Sequence, residues 1–188
     1  MNKVFFDLEW NTGFLDGNSF DEIIEIGAVK TDEEYREIDG FRRLIRPAIY
    51  RKMNPYIQKI LSITMKDLQN EEPLQAVAKA FFDWCGDCDT LIAWSGNDFG
   101  VLEKNLAHIG MEVPKRLNRY DVQMAYSYRT EKSIRNYALK TAVEAMELPE
   151  PEDQAYHDAY CDAQFTAAIG RALTERCLLY TSPSPRDS

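Results

Sequence analysis

The segment Val4-Phe5-Phe6-Asp7-Leu8-Glu9 constrains the fold of this chain more than any other stretch. Aromatic and β-branched residues in one run predict a central strand, with the Asn-Thr-Gly cluster at 11 to 13 as its stop. Asp7 and Glu9 stand two residues apart, so their carboxyls leave the same face of that strand, about 7 Å apart along it. Burying ionised carboxylates is costly unless they are paired or coordinate metal, and no Lys or Arg stands near them in the strand. The pair therefore marks either a cation site or a strand end that reaches solvent.

The rest of the chain supplies the sheet for that strand. Ile23 to Lys30 and Phe41 to Arg46 are further β-rich runs, and the short links between the three predict an antiparallel meander. Pro55 to Leu68 reads as short helices. From Pro73 an amphipathic helix places Leu74, Val77, Ala78, Phe81, Phe82 and Trp84 on or near one face. Thr90 to Trp94 is a fourth strand, followed by a helix from Phe99 to His108 with Gly110 as its stop. Arg119 to Val122 is a short fifth strand, Ser133 can cap a helix from Ile134 to about Leu148, and a last helix runs from roughly Asp158 to Leu173. This order predicts one mixed α/β sheet with helices packed on it, antiparallel at first and parallel in its later crossovers. A single domain over residues 1–175 is expected, with the polar, Pro-rich residues 176–188 as a disordered or non-native tail.

Composition limits the functional classes. At 45% hydrophobic residues the chain can bury a substantial core without staples, and no stretch approaches the roughly 18 apolar residues of a membrane span. No cleavable leader is legible at the N-terminus, so a soluble, cytoplasmic protein with no membrane partner is expected. The four cysteines, Cys85, Cys88, Cys161 and Cys177, fit reduced thiols. A formal net charge of −9 argues against a broad basic surface for duplex DNA, so any nucleic-acid role must be local.

Two further acidic positions carry chemistry. Asp98 follows the fourth strand, where open α/β sheets tend to place their sites, although Asn97 and Asp98 also suit a helix N-cap. Tyr156 to Asp162 holds His157, Asp158 and Asp162. On one regular helix His157 and Asp162 would lie about 140° apart, so they converge only if His157 sits on the loop before it. Asp158 shares the face of Asp162 and is a rival ligand by geometry, and a solvated acidic helix start is the plain alternative.

Together these residues resemble the DEDDh exonucleases, the family of ribonuclease T, oligoribonuclease and the proofreading subunits of DNA polymerases. The likeness rests on Phe6-Asp7-Leu8-Glu9, Ile23 to Val29, Asn97-Asp98-Phe99 and His157 to Asp162, in order along the chain to about residue 173. It implies a ribonuclease-H-like mixed five-stranded sheet flanked by helices. It also implies two Mg²⁺ or Mn²⁺ ions held by Asp7, Glu9, Asp98 and Asp162, with His157 as general base. The implied reaction is metal-dependent 3′-to-5′ release of nucleoside 5′-monophosphates from single-stranded RNA or DNA ends. A proofreading exonuclease within a polymerase assembly and a catalytically silent binding module on the same fold are the rival readings; retention of all five residues counts against the second. Homodimers are common in the family. Two departures, Trp10 where many members carry Thr and Trp94 to Asn97 where they carry His-Asn, touch no ligand and bear on substrate subclass.

Trp10 and Phe14 follow the acids closely enough to stack on a nucleotide base, with burial in the core as the ordinary alternative. The Cys85-Gly86-Asp87-Cys88 spacing lacks the further ligands of a zinc site and reads as inert thiols. His108 reads as a helix-end residue. Arg129, Lys132, Arg135 and Lys140 read as a solvated face with substrate phosphates as the alternative.

Overall fold

The computed structural model describes residues 2–132, 135–149 and 157–181. Its strands are β1 (Lys3–Leu15), β2 (Asn18–Thr31), β3 (Glu37–Leu44), β4 (Thr90–Ala93) and β5 (Asn118–Asp121). Its helices are α1 (Ile57–Ile60), α2 (Met65–Leu68), α3 (Leu74–Cys85), α4 (Gly96–His108), α5 (Val122–Glu131), α6 (Leu139–Ala145) and α7 (Ala159–Thr181). The sheet order is β3-β2-β1-β4-β5. β1 pairs antiparallel with β2, and β2 with β3, while β4 lies parallel to β1 and to β5. The expected meander followed by parallel crossovers is the observed topology.

β1 is central and covered on both sides, which explains why its first residues are apolar without alternation. Val4, Phe6 and Leu8 enter a core with Phe81, Phe82 and Leu102 from α3 and α4. Phe5 points the other way, into a core with Ile92, Val122, Val143, Phe165 and Ile169. Asp7 and Glu9 follow Phe5 on that second face. A smaller cluster of Ile24, Met53, Leu61, Ile63 and Leu68 seats the α1–α2 segment against β2.

Several boundaries differ from expectation. Asn11-Thr12-Gly13 does not stop β1: the strand runs on as a two-stranded arm against Asn18 to Ile23, past a register shift between Glu9 and Trp10. Polar residues serve there because the outer positions face solvent while buried Asn11 and Glu22 are satisfied by the backbone of residues 48–54. β3 starts and ends earlier than read, at Glu37 and Leu44. α4 begins at Gly96, capped by Ser95, so Asp98 lies in the first turn and is not itself the cap. α5 replaces what was read as the close of the fifth strand, with Asp121 Oδ1 accepting the Met124 amide at 2.9 Å as its cap. The helix expected from Ile134 to Leu148 is confined to α6; Arg135 to Ala138 are not helical, and Ser133 and Ile134 lie outside the described residues. The last helix continues beyond Leu173 to Thr181, so residues 176–181 of the tail expected at 176–188 are helical, and 182–188 lie outside the described residues. Among the described residues, no helix is long and apolar enough to cross a membrane.

Candidate metal centre and cleft

The middle of β1, just before its register shift, the carboxyl end of β4 and the N-termini of α4 and α7 meet at one cleft of about 310 Å³. Asp7, Glu9, Asp98, His157 and Asp162 all line it, although they come from segments far apart in the chain. Apart from Ser95 its other walls are apolar, among them Trp10, Ile57, Ile60, Leu61, Trp94 and Leu139.

Each acid is placed by an identifiable local device. Ser95 accepts the Asn97 amide at 3.3 Å, and its hydroxyl donates to Asp98 Oδ2 at 3.2 Å, so the capping residue of α4 also holds the carboxylate. His157 occupies the loop before α7 with φ +69, a left-handed conformation that turns the chain into the helix. Its backbone amide donates to Asp162 Oδ2 at 3.3 Å, while Asp162 Oδ1 is buried without a partner among the described residues. Glu9, His157 and Asp162 each offer a ligand atom within 4.8 Å of the other two. Asp158 does not join them: it pairs with Arg42 and accepts the Cys161 amide at 3.2 Å, serving α7 as a cap.

Electrostatically the cluster is uncompensated. Burial, followed by repulsion from Asp98, Asp162, Glu9 and Glu25, holds the Asp7 carboxyl well above the usual range. Burial and the Asp162 charge raise Glu9 to about 8. Burial raises Asp162 to about 7 against the opposing pull of the His157 amide, and raises Asp98 to about 6 against the Ser95 hydroxyl. Carboxyls pushed up together by burial and by one another are a donor set waiting for positive charge. All-carboxylate oxygen, with one unpartnered buried oxygen on Asp162, suits a hard divalent cation and fits no covered apolar role.

Other residues singled out in the sequence divide. Trp10 sits between the β1 core and the cleft, touching both. Phe14 stands on the arm, 77% exposed and outside the cleft lining. Cys85, Cys88 and Cys161 are buried free thiols, and burial pushes Cys85 up to about 12. The His108 ring lies against Phe20, with centroids 5.5 Å apart. Arg129 donates to the Leu173 carbonyl and Lys140 faces Glu144 at 3.8 Å, away from the acids.

Sequence reading passed over Glu25, which is fully buried, pairs with Arg42 at 2.9 Å and keeps Oε2 unpartnered among the described residues. A charged residue inside the apolar run Ile23 to Val29 was the available signal. It also passed over the cleft walls on α1 and α6, for which short apolar helices give no signal of their own.

The exonuclease family model RNase_T matches residues 4–169. The DNA polymerase III PolC-type of Clostridium perfringens is 30% identical over 169 residues, covering 88% of this chain and 11% of the polymerase. The chain thus spans about a tenth of the length of that curated relative. Among solved structures, cell-death related nuclease 4 superposes with a TM-score of 0.80 at 14% identity, over 93% of this chain and 64% of that one. The nuclease domain of 3′hExo, a DEDDh family member bound to rAMP, superposes with a TM-score of 0.77 at 17% identity, over 93% of this chain and 92% of that one. The ribonuclease-H-like mixed sheet that the sequence led us to expect is the fold these structures share.

Proposed function

The chain belongs to the exonuclease family, and from that premise we propose that it removes nucleoside 5′-monophosphates from the 3′ ends of single-stranded RNA or DNA. One observation carries this reading: four acids from three separate segments converge on one cleft beside an exposed histidine, and no cation among the described residues neutralises them there. In this reading Asp7, Glu9, Asp98 and Asp162 hold two Mg²⁺ or Mn²⁺ ions. Such ions, when bound, supply an acidified water and offset charge on a phosphodiester in displacement.

The remaining work falls to the chain's own groups. His157, at the cleft mouth and hinged outside the helix, accepts the proton of the attacking water. Its loop position leaves the imidazole free to approach while Asp162 stays fixed on α7. Trp10, with Ile57, Ile60, Leu61 and Leu139, offers an apolar slot for the terminal base and sugar, and keeps bulk water from the acids. Walls without a base-reading pattern of donors and acceptors favour a sequence-tolerant enzyme. Phe14 lies too far along the arm to line that slot, so its stacking role is not carried forward.

The test is hydrolysis of 5′-labelled single-stranded RNA and DNA with Mg²⁺ or Mn²⁺, by the wild-type chain and by Asp7→Asn. The expected result is a ladder shortening from the 3′ end, abolished by EDTA and by the substitution. Cleavage that survives both would sink the assignment. Proofreading within a polymerase assembly is the second reading, favoured by the 30% identity to a PolC-type polymerase. A strong preference for deoxyribose and for a mispaired 3′ end in the same assay would select it.

A further inference from the structure

Between Phe41 and Lys66 the sequence holds seven Lys and Arg residues and no Asp or Glu, in a chain whose net charge is −9. Two of the seven are spent on the fold. Arg42 binds Glu25 and Asp158, and the Arg43 guanidinium lies over the Phe41 ring. Arg46, Arg51, Lys52 and Lys59 are exposed and, among the described residues, meet no carboxylate at ion-pair distance. Arg46 and Arg51 flank an open groove of about 450 Å³ with Tyr50, Met65 and Gln69.

The loop that carries these cations is fixed in place. Glu22, only 5% exposed, accepts the amides of Ala48, Ile49 and Tyr50 at 2.6, 2.8 and 2.9 Å. The Tyr50 hydroxyl donates to the Phe20 carbonyl at 2.9 Å. At the far end Asn11 donates to the Lys52 carbonyl at 3.0 Å and accepts the Asn54 amide at 2.8 Å. The amides of Ala48, Ile49, Tyr50 and Asn54 are thereby consumed internally, which fixes the loop and leaves the exposed cationic side chains for a ligand. The same α1–α2 segment lines the metal cleft with Ile57, Ile60 and Leu61 and the groove with Met65, both backed by Met53, Ile63 and Leu68.

We infer that the face formed by Arg46, Arg51, Lys52 and Lys59 is the track for the phosphodiester backbone of the substrate strand upstream of its 3′ end. The inference rests on the exonuclease reading of the cleft and adds to it where the rest of the strand lies. An otherwise acidic molecule repels polyanions, so a pre-ordered patch of cations beside the cleft, on a stretch of chain with no acid of its own, sets the direction of approach. A row of cations contacts phosphates without reading bases, which fits a sequence-tolerant enzyme.

The test compares Arg46→Gln/Arg51→Gln with Lys104→Gln/Lys115→Gln, which removes the same charge from exposed positions elsewhere. Each is assayed on a single strand of about 20 nucleotides, from about 50 to 200 mM KCl, and on the p-nitrophenyl ester of thymidine 5′-monophosphate. The Arg46/Arg51 variant should raise KM for the strand roughly tenfold and flatten the dependence of log KM on log salt by about 1.4. Its hydrolysis of the nitrophenyl ester and its melting temperature should match wild type, and the control variant should match wild type throughout. Equal salt slopes for both variants, with wild type active on both substrates, would overturn the track alone. A wild-type chain inactive on both substrates would remove the exonuclease reading, and the track with it.

Discussion

Trp10 occupies the seam between two demands, because the residue after Glu9 must both close the β1 core and face the cleft. An indole can do both, its body packed on apolar neighbours and its remaining face open to a ligand. The register shift between Glu9 and Trp10 accompanies this, since a bulge re-aims side chains where a strand leaves the sheet. Trp10→Ala should therefore act twice. KM for short oligonucleotides should rise about tenfold from lost stacking, and stability should fall by roughly 1–3 kcal/mol, less than for a fully buried tryptophan. Trp10→Phe should recover most of the KM. Steady-state kinetics beside thermal melts decides the matter: a lower melting temperature with wild-type KM would leave Trp10 a core residue only.

At the scale of elements, the catalytic geometry depends on how closely α7 approaches the sheet. A Cβ on Gly27 of β2 would stand 2.2 Å from the Ala159 carbonyl carbon and the Tyr160 nitrogen, both backbone atoms. Only glycine lets the first turn of α7 lie on β2, and that turn carries Asp162 and receives the loop that carries His157. Gly40 is similarly crowded, but by the Tyr160 ring and hydroxyl, which can swing aside. Gly27→Ala should thus lower kcat by at least about tenfold, displacing both groups by the fraction of an ångström that positioning cannot tolerate, while Gly40→Ala costs little activity. Equal kcat for the two variants would refute the spacing argument. The same elements show what the sequence made legible. The central strand, the parallel fourth strand and the hinge at His157 could be read because an apolar run ending in acids, or a histidine five residues before an aspartate, leaves few geometries. α5 could not, because exposed Met124 and Tyr128 blur the periodicity around buried Val122 and Tyr126. The arm of β1 and β2 was hidden for a related reason: its pairing is satisfied by backbone hydrogen bonds, and its polar side chains carry no burial signal. The cation track was visible as charge, yet a net charge of −9 for the whole chain masked a local run of seven basic residues.

For the molecule as a whole, the metal-free state stores repulsion at one end of its sheet, and the sign of its pH dependence follows. Glu9, Asp162 and Asp98 titrate at about 8, 7 and 6 in the folded chain, above their ordinary values of 4.5, 3.8 and 3.8. Between those ordinary values and the raised ones the folded state binds more protons than the unfolded state, so stability falls as pH rises through this window, and the raised Asp7 carboxyl adds to the fall in the same sense. Divalent cations act in the opposite sense. They require the deprotonated carboxylates, so they bind more tightly as pH rises and stabilise the folded state by mass action. The melting temperature without metal should therefore be lower at about pH 8.5 than at about pH 6, and the rise produced by Mg²⁺ or Mn²⁺ should be larger at the higher pH. Asp7→Asn removes from the centre of the cluster a carboxyl that burial and its neighbours resist ionising. Without metal at about pH 8.5 it should melt several degrees above wild type, while its response to added cation shrinks. Scanning calorimetry of both proteins at the two pH values, with EDTA and with cation, tests the whole scheme. A wild-type melting temperature that climbed from pH 6 to 8.5 in EDTA would mean that the acids are already compensated, and the case for a divalent site at this cleft would fall with that result.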